Sequence, residues 1–462
     1  MFQLHQYKSH GYNLVLDVNS GSVHIFDEPA YCMLPRIAEL VEADRDVTRE
    51  EAERALEGDF PYDRETISET VSEILSLRDD GSLFAEDIYE KYVGAINAAV
   101  PVVKALCLHI AHDCNLACSY CFAGKGEYSG ERALMSYETG KAALDFLMRE
   151  SRGRRNLEVD FFGGEPLMNW EVVKQLVLYG RSVEKEQGKN FRFTLTTNGL
   201  LLDDEKLGFI NREMGNLVLS VDGRKEVHDR LRKTRDGRGS YDLIIDRFIH
   251  AAESRDQDRY YVRGTFTGYN KDFSRDVEVL ADLGFRQISM EPVVAEKSEP
   301  YALREEDIPE LLEEYDRLSE LYLERRREGR GFNFFHFNID LEGGPCVAKR
   351  LSGCGSGCEY LSVTPDGSLY PCHQFAGKPD FLMGNVEQGI VRTDIRDRFR
   401  KCNVYSRPEC RKCFARYYCS GGCSANAFNE NGDINSVYEI GCVLERKRIE
   451  CAIMLKAALS DE

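Results

Sequence analysis

Three cysteines, Cys114, Cys118 and Cys121, stand at C-x3-C-x2-C spacing directly after an apolar run from Ala105 to Ile110. A [4Fe–4S] cube needs one ligand on each of its four irons, so three thiolates leave one iron open to something else. The spacing matches neither the paired cysteines usual for zinc nor the C-x2-C-x2-C run of ferredoxins. His112 is the only local candidate for a fourth zinc ligand.

The rest of the composition supports metal chemistry. Sixteen cysteines occur in 462 residues, nine of them between Cys346 and Cys423 and only one in the first hundred. The N-terminus, Met1 to Gln6, lacks a basic segment followed by an apolar one, so no secretory signal is read and a cytoplasmic protein is expected. Thiols there stay reduced, which favours metal ligation over disulfides. A net charge of −19 argues against nucleic acid or an anionic membrane as the main partner, and no apolar run reaches membrane-spanning length. The basic group Arg224, Arg230, Arg232, Lys233, Arg235 and Arg238 reads as a solvated loop unless a ligand carboxylate lies nearby.

The elements that must position these thiols fall into three blocks. Residues 1–95 read as two or three strands, including Tyr12 to Asp17 and Ser22 to Phe26, followed by three helices. One helix opens on a Thr48/Glu51 capping box, and another runs from Arg64 to Arg78. This is a winged-helix-like order. Cys32 in this block reads as a buried apolar residue. Residues 96–335 alternate strand and helix. The strands are Ala105–Ile110, Leu157–Phe162, Phe191–Thr196, Leu217–Val221, Tyr260–Thr267 and Gln287–Pro292; a long charged helix from Asp307 to Arg327 closes the block. Six such units predict an α/β fold with a parallel sheet, a partial barrel or an open sheet, with ligands at the C-terminal strand ends. Residues 336–462 lose periodicity in favour of glycine and cysteine until a final helix, Leu444 to Leu459. A region so poor in apolar periodicity needs metal to hold it.

Turns at three successive strand ends carry the next signal: Gly163-Gly164-Glu165-Pro166, Thr196-Thr197-Asn198-Gly199 and Ser220-Val221-Asp222-Gly223. Singly each is an ordinary turn. Together, after an open three-cysteine site, they resemble the radical S-adenosylmethionine (SAM) enzymes over residues 103–300. The resemblance implies a partial (β/α)6 TIM-like barrel in which SAM chelates the open iron and is cleaved to a 5′-deoxyadenosyl radical. By the same resemblance Gly164 and Glu165 hold the methionine amino end, Asn198 and Ser220 the ribose or carboxylate, Arg232 a carboxylate, and Phe122 the adenine through its backbone. Cys107 and His109 read as structural.

In the third block, Cys410-x2-Cys413-x5-Cys419-x3-Cys423 precedes Cys442, and Cys354 precedes a Gly367-x4-Cys372 turn. This resembles the SPASM extension of peptide-modifying radical SAM enzymes. It implies two auxiliary [4Fe–4S] clusters, three clusters in all. Cys410, Cys413, Cys419 and Cys442 would hold the second, and Cys354, Cys372 and Cys423 the first. Cys358 either completes that first set or lies off it, leaving an iron for a substrate thiolate; the spacing leaves both open. Cys346, Cys402 and Cys451 have no place in the pattern. Residues 1–95 resemble a RiPP recognition element, which captures a leader peptide as an added strand, here along Tyr12 to Phe26. Over its full length the chain resembles the maturases of six-cysteine ranthipeptides (SCIFF peptides), through Asp17-Val18-Asn19-Ser20-Gly21, Gly353 to Tyr360 and Pro371-Cys372-His373-Gln374-Phe375. That implies thioether links from cysteine to a threonine carbon in a cysteine-rich precursor peptide, with a flavodoxin or ferredoxin as electron donor. The alternatives are a sulfatase-maturating, formylglycine-forming enzyme, whose family places an aspartate where His373 stands, and a non-catalytic Fe–S or zinc protein that binds peptides.

Overall fold

The computed structural model describes residues 2–128, 130, 132–341 and 346–460. The chain begins with β1 (Leu4–Ser9), β2 (Tyr12–Asp17) and β3 (Val23–Phe26), an antiparallel sheet in that order. α1 (Glu28–Ala43), α2 (Arg49–Leu56) and α3 (Arg64–Asp79) follow. Thr48 and Glu51 cap α2 reciprocally, as the capping box requires. The sheet is buried on both faces. Val15 and Phe26 pack with Met33, Ile37, Val71 and Ile74 of the helices. Leu14, Leu16 and Val18 belong to the core of the remaining chain.

α4 (Val93–Ala98) leads into the central series: β4 (Ala105–His112), β5 (Ala133–Leu134), α5 (Tyr137–Glu150), β6 (Asn156–Gly163), α6 (Trp170–Gln187), β7 (Asn190–Thr197), α7 (Asp204–Glu213) and β8 (Asn216–Ser220). It continues with α8 (Lys225–Leu231), α9 (Tyr241–Glu253), β9 (Tyr260–Phe266), α10 (Phe273–Asp282), β10 (Gln287–Pro292), α11 (Ile308–Arg327) and β11 (Asn333–Phe334). The C-terminal region adds α12 (Val347–Ser352), β12 (Tyr360–Val363), β13 (Ser368–Tyr370), β14 (Gly384–Asn385) and β15 (Gly389–Ile390). Its helices are α13 (Thr393–Arg400), α14 (Pro408–Arg411), α15 (Arg416–Cys419), α16 (Ser424–Asn431) and α17 (Glu439–Ser460).

All six expected strands are present and parallel, in the order β10-β9-β8-β7-β6-β4. Two further parallel strands extend them: β11 beside β10, and β12 of the C-terminal region beside β4. The barrel sheet therefore runs on into the cysteine-rich region. The fold is a partial, TIM-like α/β barrel. Leu106, Leu108, Val159, Phe161, Phe193 and Leu195 face the covering helices and are fully buried. Their alternates line the interior, and the register sets Cys107 beside Asp160 and Asp160 beside Thr194, then Arg263 beside Ser289 and Thr265 beside Glu291. Inner polar rows under an apolar outer layer leave the barrel mouth free for chemistry. Among the described residues no helix is long and apolar enough to cross a membrane.

Candidate active site

β4 ends at His112, and the loop after it carries the three thiols. Segment 231–234 pins that loop: Ala117 N–H bonds Lys233 O (2.7 Å), and Ser119 N–H bonds Leu231 O (2.9 Å). Arg235 Nε donates to Cys114 O at 2.6 Å and pairs with Asp113. The neighbouring end of β6 approaches through Gly163 and Gly164. Glu165 N–H bonds Asp113 O at 2.8 Å, and a Cβ on Gly164 would lie 2.0 Å from that same carbonyl oxygen. Only glycine lets the two loops close this tightly.

Cys114, Cys118 and Cys121 line one cavity of about 630 Å³, together with Phe122, Gly163, Gly164, Glu165, Asn198, Ser220 and Arg232. All six expected cofactor contacts therefore share a wall with the expected triplet. Glu165, 1% exposed, is tied into the protein. Its Oε1 accepts from Leu167 N–H (3.0 Å) and Thr197 Oγ1 (2.8 Å), and its Oε2 from Asn198 N–H (2.8 Å). Burial pushes its carboxyl up to about 7 against those bonds. It thus sets the Thr196–Gly199 turn as well as facing the cavity. Asn198 Nδ2 donates to Asn115 Oδ1 at 2.7 Å and lies 3.6 Å from Cys114 Sγ.

Of the basic group, only Arg232 faces the cavity. Arg224 pairs with Asp272 and Asp276, Arg238 with Asp236, and Arg230 covers the Tyr269 ring at 3.4 Å. Arg232 Nε donates to Asp222 Oδ2 at 3.0 Å; Asp222 also accepts from Tyr120 OH (2.7 Å) and Thr265 N–H (3.0 Å). Burial works against the guanidinium charge, and Asp222 and Tyr120 outweigh it, holding Arg232 cationic. Sequence reasoning missed Asp222 and Tyr120 as partners. Tyr120 stands between Cys118 and Cys121 and Asp222 in the Ser220–Gly223 turn, but nothing local in the sequence joins them.

The same cavity is lined by Cys423, Cys419 and Cys442 from the C-terminal region. Two sets of thiols assemble there. Burial, and after it neighbouring thiols of the set Cys410, Cys413, Cys419 and Cys442, raise the thiols of Cys410, Cys419 and Cys442, taking Cys419 to about 12 and Cys442 to about 11. In the other set, after burial, Cys423 and Cys354 act on Cys372, and Cys354 acts on Cys423, in the same direction. Cys358 is in neither set. It is buried, its thiol donates to Arg396 O at 3.5 Å, and the charges acting on it come from α13 and Glu359. The seven other expected auxiliary ligands are thus brought together as four and three. Cys402 accepts from Arg407 and donates to Ile434 O, and Cys451 lies 3.7 Å from Tyr315 O.

Among the described residues no three thiols, imidazoles or carboxylates converge on the position of a single metal ion. Zinc, with each sulfur about 2.3 Å away, needs that convergence. A cube, which spreads its ligands over four irons, does not. The donor sets and the Gly164 cradle fit [4Fe–4S] groups and SAM.

Comparison with known proteins agrees. Residues 108–290 match the Radical SAM superfamily, and residues 354–414 match the SPASM iron–sulfur cluster-binding domain. The cysteine-type anaerobic sulfatase-maturating enzyme of Clostridium perfringens is 26% identical over 353 residues, 70% of this chain and 89% of that one. The structure of anSMEcpe with AdoMet and Cp18Cys peptide superposes with a TM-score of 0.65 at 21% identity, covering 78% of this chain and 99% of that one. Streptococcus suis SuiB bound to its precursor peptide SuiA gives 0.51 at 15%, over 93% and 97%. Both likenesses are of fold.

Proposed function

We propose, for a chain that is a radical SAM enzyme with a SPASM iron–sulfur extension, that it links cysteine sulfurs to threonine carbons as thioethers in a cysteine-rich, ribosomally made precursor peptide. The observation that carries this reading is the first auxiliary set. Cys354, Cys372 and Cys423 act on one another while Cys358 turns to Arg396 O, so three donors would hold a four-iron group and leave one iron to a substrate thiolate. When bound, SAM and the clusters supply a hydrogen-abstracting 5′-deoxyadenosyl radical, a seat for that thiolate and a sink for one electron. The chain's residues do the positioning. Gly164 and Glu165 receive the methionine amino end, Asn198 and Ser220 the ribose or carboxylate. Arg232, kept charged by Asp222, takes a carboxylate, and Phe122 borders the adenine. Per crosslink the peptide loses a carbon-bound hydrogen and a thiol proton and gains a C–S bond, with SAM reduced to methionine and 5′-deoxyadenosine. Residues 1–95 capture the leader, and a flavodoxin or ferredoxin supplies the electron.

The sulfatase-maturating alternative draws support from the similarity to the Clostridium perfringens enzyme over 70% of the chain. His373 in the cavity wall, where that family's aspartate would stand, weighs against it. Anaerobic incubation of the reconstituted enzyme with SAM, reductant and a cysteine-rich peptide tests the proposal. It expects 5′-deoxyadenosine together with a peptide lighter by two hydrogens and short of one alkylatable thiol per turnover. An aldehyde product, or deoxyadenosine without any change in the peptide, contradicts it.

A further inference from the structure

The contacts assigned to SAM end at β8, and the cavity does not. Its wall continues onto β9 and β10 with Arg263, Thr265 and Glu291, three side chains outside the SAM and cluster contacts. The parallel register sets them out in order. Ser220 of β8 is paired with Arg263, and Thr265 with Glu291. The strand of Arg263 is therefore roughly 5 Å from that of Ser220, and the strand of Glu291 roughly 10 Å.

Arg263 and Glu291 form an ion pair in which Arg263 Nη2 donates to Glu291 Oε2. Among the described residues this is the only hydrogen bond that either side chain makes. Nε and Nη1 of Arg263 and Oε1 of Glu291 are left over. The two side chains are 46% and 38% exposed, against 13% and 0% for Arg232 and Asp222. Both line the cavity, so these unmet donors and acceptors are offered to whatever fills it. The Arg263 guanidinium outweighs the burial of Glu291 and holds its carboxyl down to about 2, so the pair stays charged.

The pair also stands between the two ends of the reaction. Arg263 is within electrostatic reach of Arg232 and Tyr120, beside the Cys114–Cys121 loop. Glu291 is within reach of Cys423 in the first auxiliary set, and both act on His373. A substrate residue must meet the SAM wall with its hydrogen and the auxiliary set with the sulfur that replaces it. Its peptide unit carries one N–H donor and one C=O acceptor. The spare guanidinium N–H groups and the spare carboxylate oxygen are the complement of these two, and bonds to charged partners are the stronger kind.

We infer that Arg263 and Glu291 grip the peptide unit of the residue that gives up its hydrogen, Arg263 donating to its carbonyl oxygen and Glu291 accepting from its N–H. This rests on the reading of the chain as a peptide-modifying enzyme. It adds how the reacting residue is held: by main-chain atoms, whatever its side chain.

The test uses the full reconstituted enzyme, unlabelled SAM and a cysteine-rich peptide deuterated at its carbon-bound positions, turned over once. The readout is the fraction of 5′-deoxyadenosine that carries deuterium, which reports how well the peptide is placed. The double variant R263M/E291Q removes both charges together, so neither is left buried alone. Its deuterated fraction is expected to fall at least about tenfold, the cost of a misplaced reacting atom. Its iron content, and the change that SAM causes in the spectrum of the reduced enzyme, are expected to match the wild type. N-methylation of the reacting residue, identified from the wild-type product, removes the N–H. It is expected to lower the wild-type fraction and to lower that of the double variant no further. A double variant with the wild-type fraction overturns the inference. Loss of iron or of the SAM-dependent spectrum shows that the pair supports the barrel instead, and overturns it as well. A wild-type enzyme that transfers deuterium but yields an aldehyde sinks the thioether reading alone, and the same fraction still judges the pair. A wild-type enzyme that transfers none overturns both.

Discussion

Cys358 is four residues from Cys354 and serves a different neighbourhood because of two glycines. Gly355 and Gly357 both have positive φ, +75° and +73°, and a Cβ on Gly357 would meet the Phe399 ring at 2.7 Å. The backbone there turns in a way that L side chains resist, and Cys358 is delivered to α13. Cys358→Ala is accordingly expected to keep the full iron content of the reconstituted enzyme, and Cys354→Ala to lose a cluster. Iron and sulfide assays on the two variants read the difference. His228 makes a second residue-level prediction. It is fully buried behind Asp222. Its Nδ1 accepts the Asp222 N–H (3.4 Å), so its Nε2 carries the proton and donates to Ser240 Oγ at 2.9 Å. Burial, and then Arg232 against the opposing Asp222, pushes the imidazole down to about 4. Above pH 6.5 both the folded and the unfolded chain keep it neutral. Below that the unfolded chain takes up a proton that the folded one refuses, so stability falls between pH 6.5 and about 4, by up to about 1.4 kcal/mol per pH unit. Thermal melts of the apo protein across this window should show a shallower decline for His228→Gln.

At the scale of elements, the site depends on how closely β4 and β6 end against each other. Gly164→Ala places a methyl group against the Asp113 carbonyl, where backbone and not a flexible side chain must yield. The variant is expected to lose about four irons per chain, those of the cluster at Cys114, Cys118 and Cys121, and to keep the auxiliary clusters. Metal analysis with spectroscopy of the reduced enzyme checks this. These central strands were legible from the sequence because their apolar residues alternate over five or more positions. The helix Tyr137–Glu150 opens where Ser136 caps it. β11, β14 and β15 are two residues long and β12 and β13 only four and three, too short to show a period. α8 begins at Lys225 with no side-chain cap to announce it. The site was legible as a set of turns. Its internal wiring, Glu165 to Thr197 and Asp222 to Tyr120, joins residues 32 and 102 positions apart, which no local pattern can reveal.

At the scale of the whole molecule, the N-terminal unit meets the cysteine-rich region around one buried guanidinium, beside contacts such as Gln3 Nε2 to Lys412 O and His5 stacked on Phe414. Arg416, between Cys413 and Cys419, is 4% exposed. It bonds Asn19 Oδ1 at 2.6 Å, Arg411 O at 2.8 Å, and also Gln3, and it lies 3.3 Å from Asp87. Asp87 is held in turn by Tyr405 OH (2.6 Å) and Tyr417 OH (3.0 Å). Removing one partner of a buried charged pair costs about 3–5 kcal/mol. Arg416→Ala should therefore speed hydrogen exchange in β1 and the 17–21 turn while sparing the central barrel strands. Uniform exchange across the chain would show that the unit is not held this way.

The two candidate chemistries differ in where the hydrogen atom is taken. Thioether formation takes it from the acceptor residue, whereas oxidation of a cysteine to an aldehyde takes it from the cysteine itself. Two preparations of one cysteine-rich peptide separate them, one deuterated throughout its threonines and one at its cysteine β-carbons, each turned over once with unlabelled SAM. The prediction is deuterium in 5′-deoxyadenosine from the threonine-labelled peptide only. Deuterium from the cysteine-labelled peptide would contradict the account and favour the sulfatase-maturating alternative.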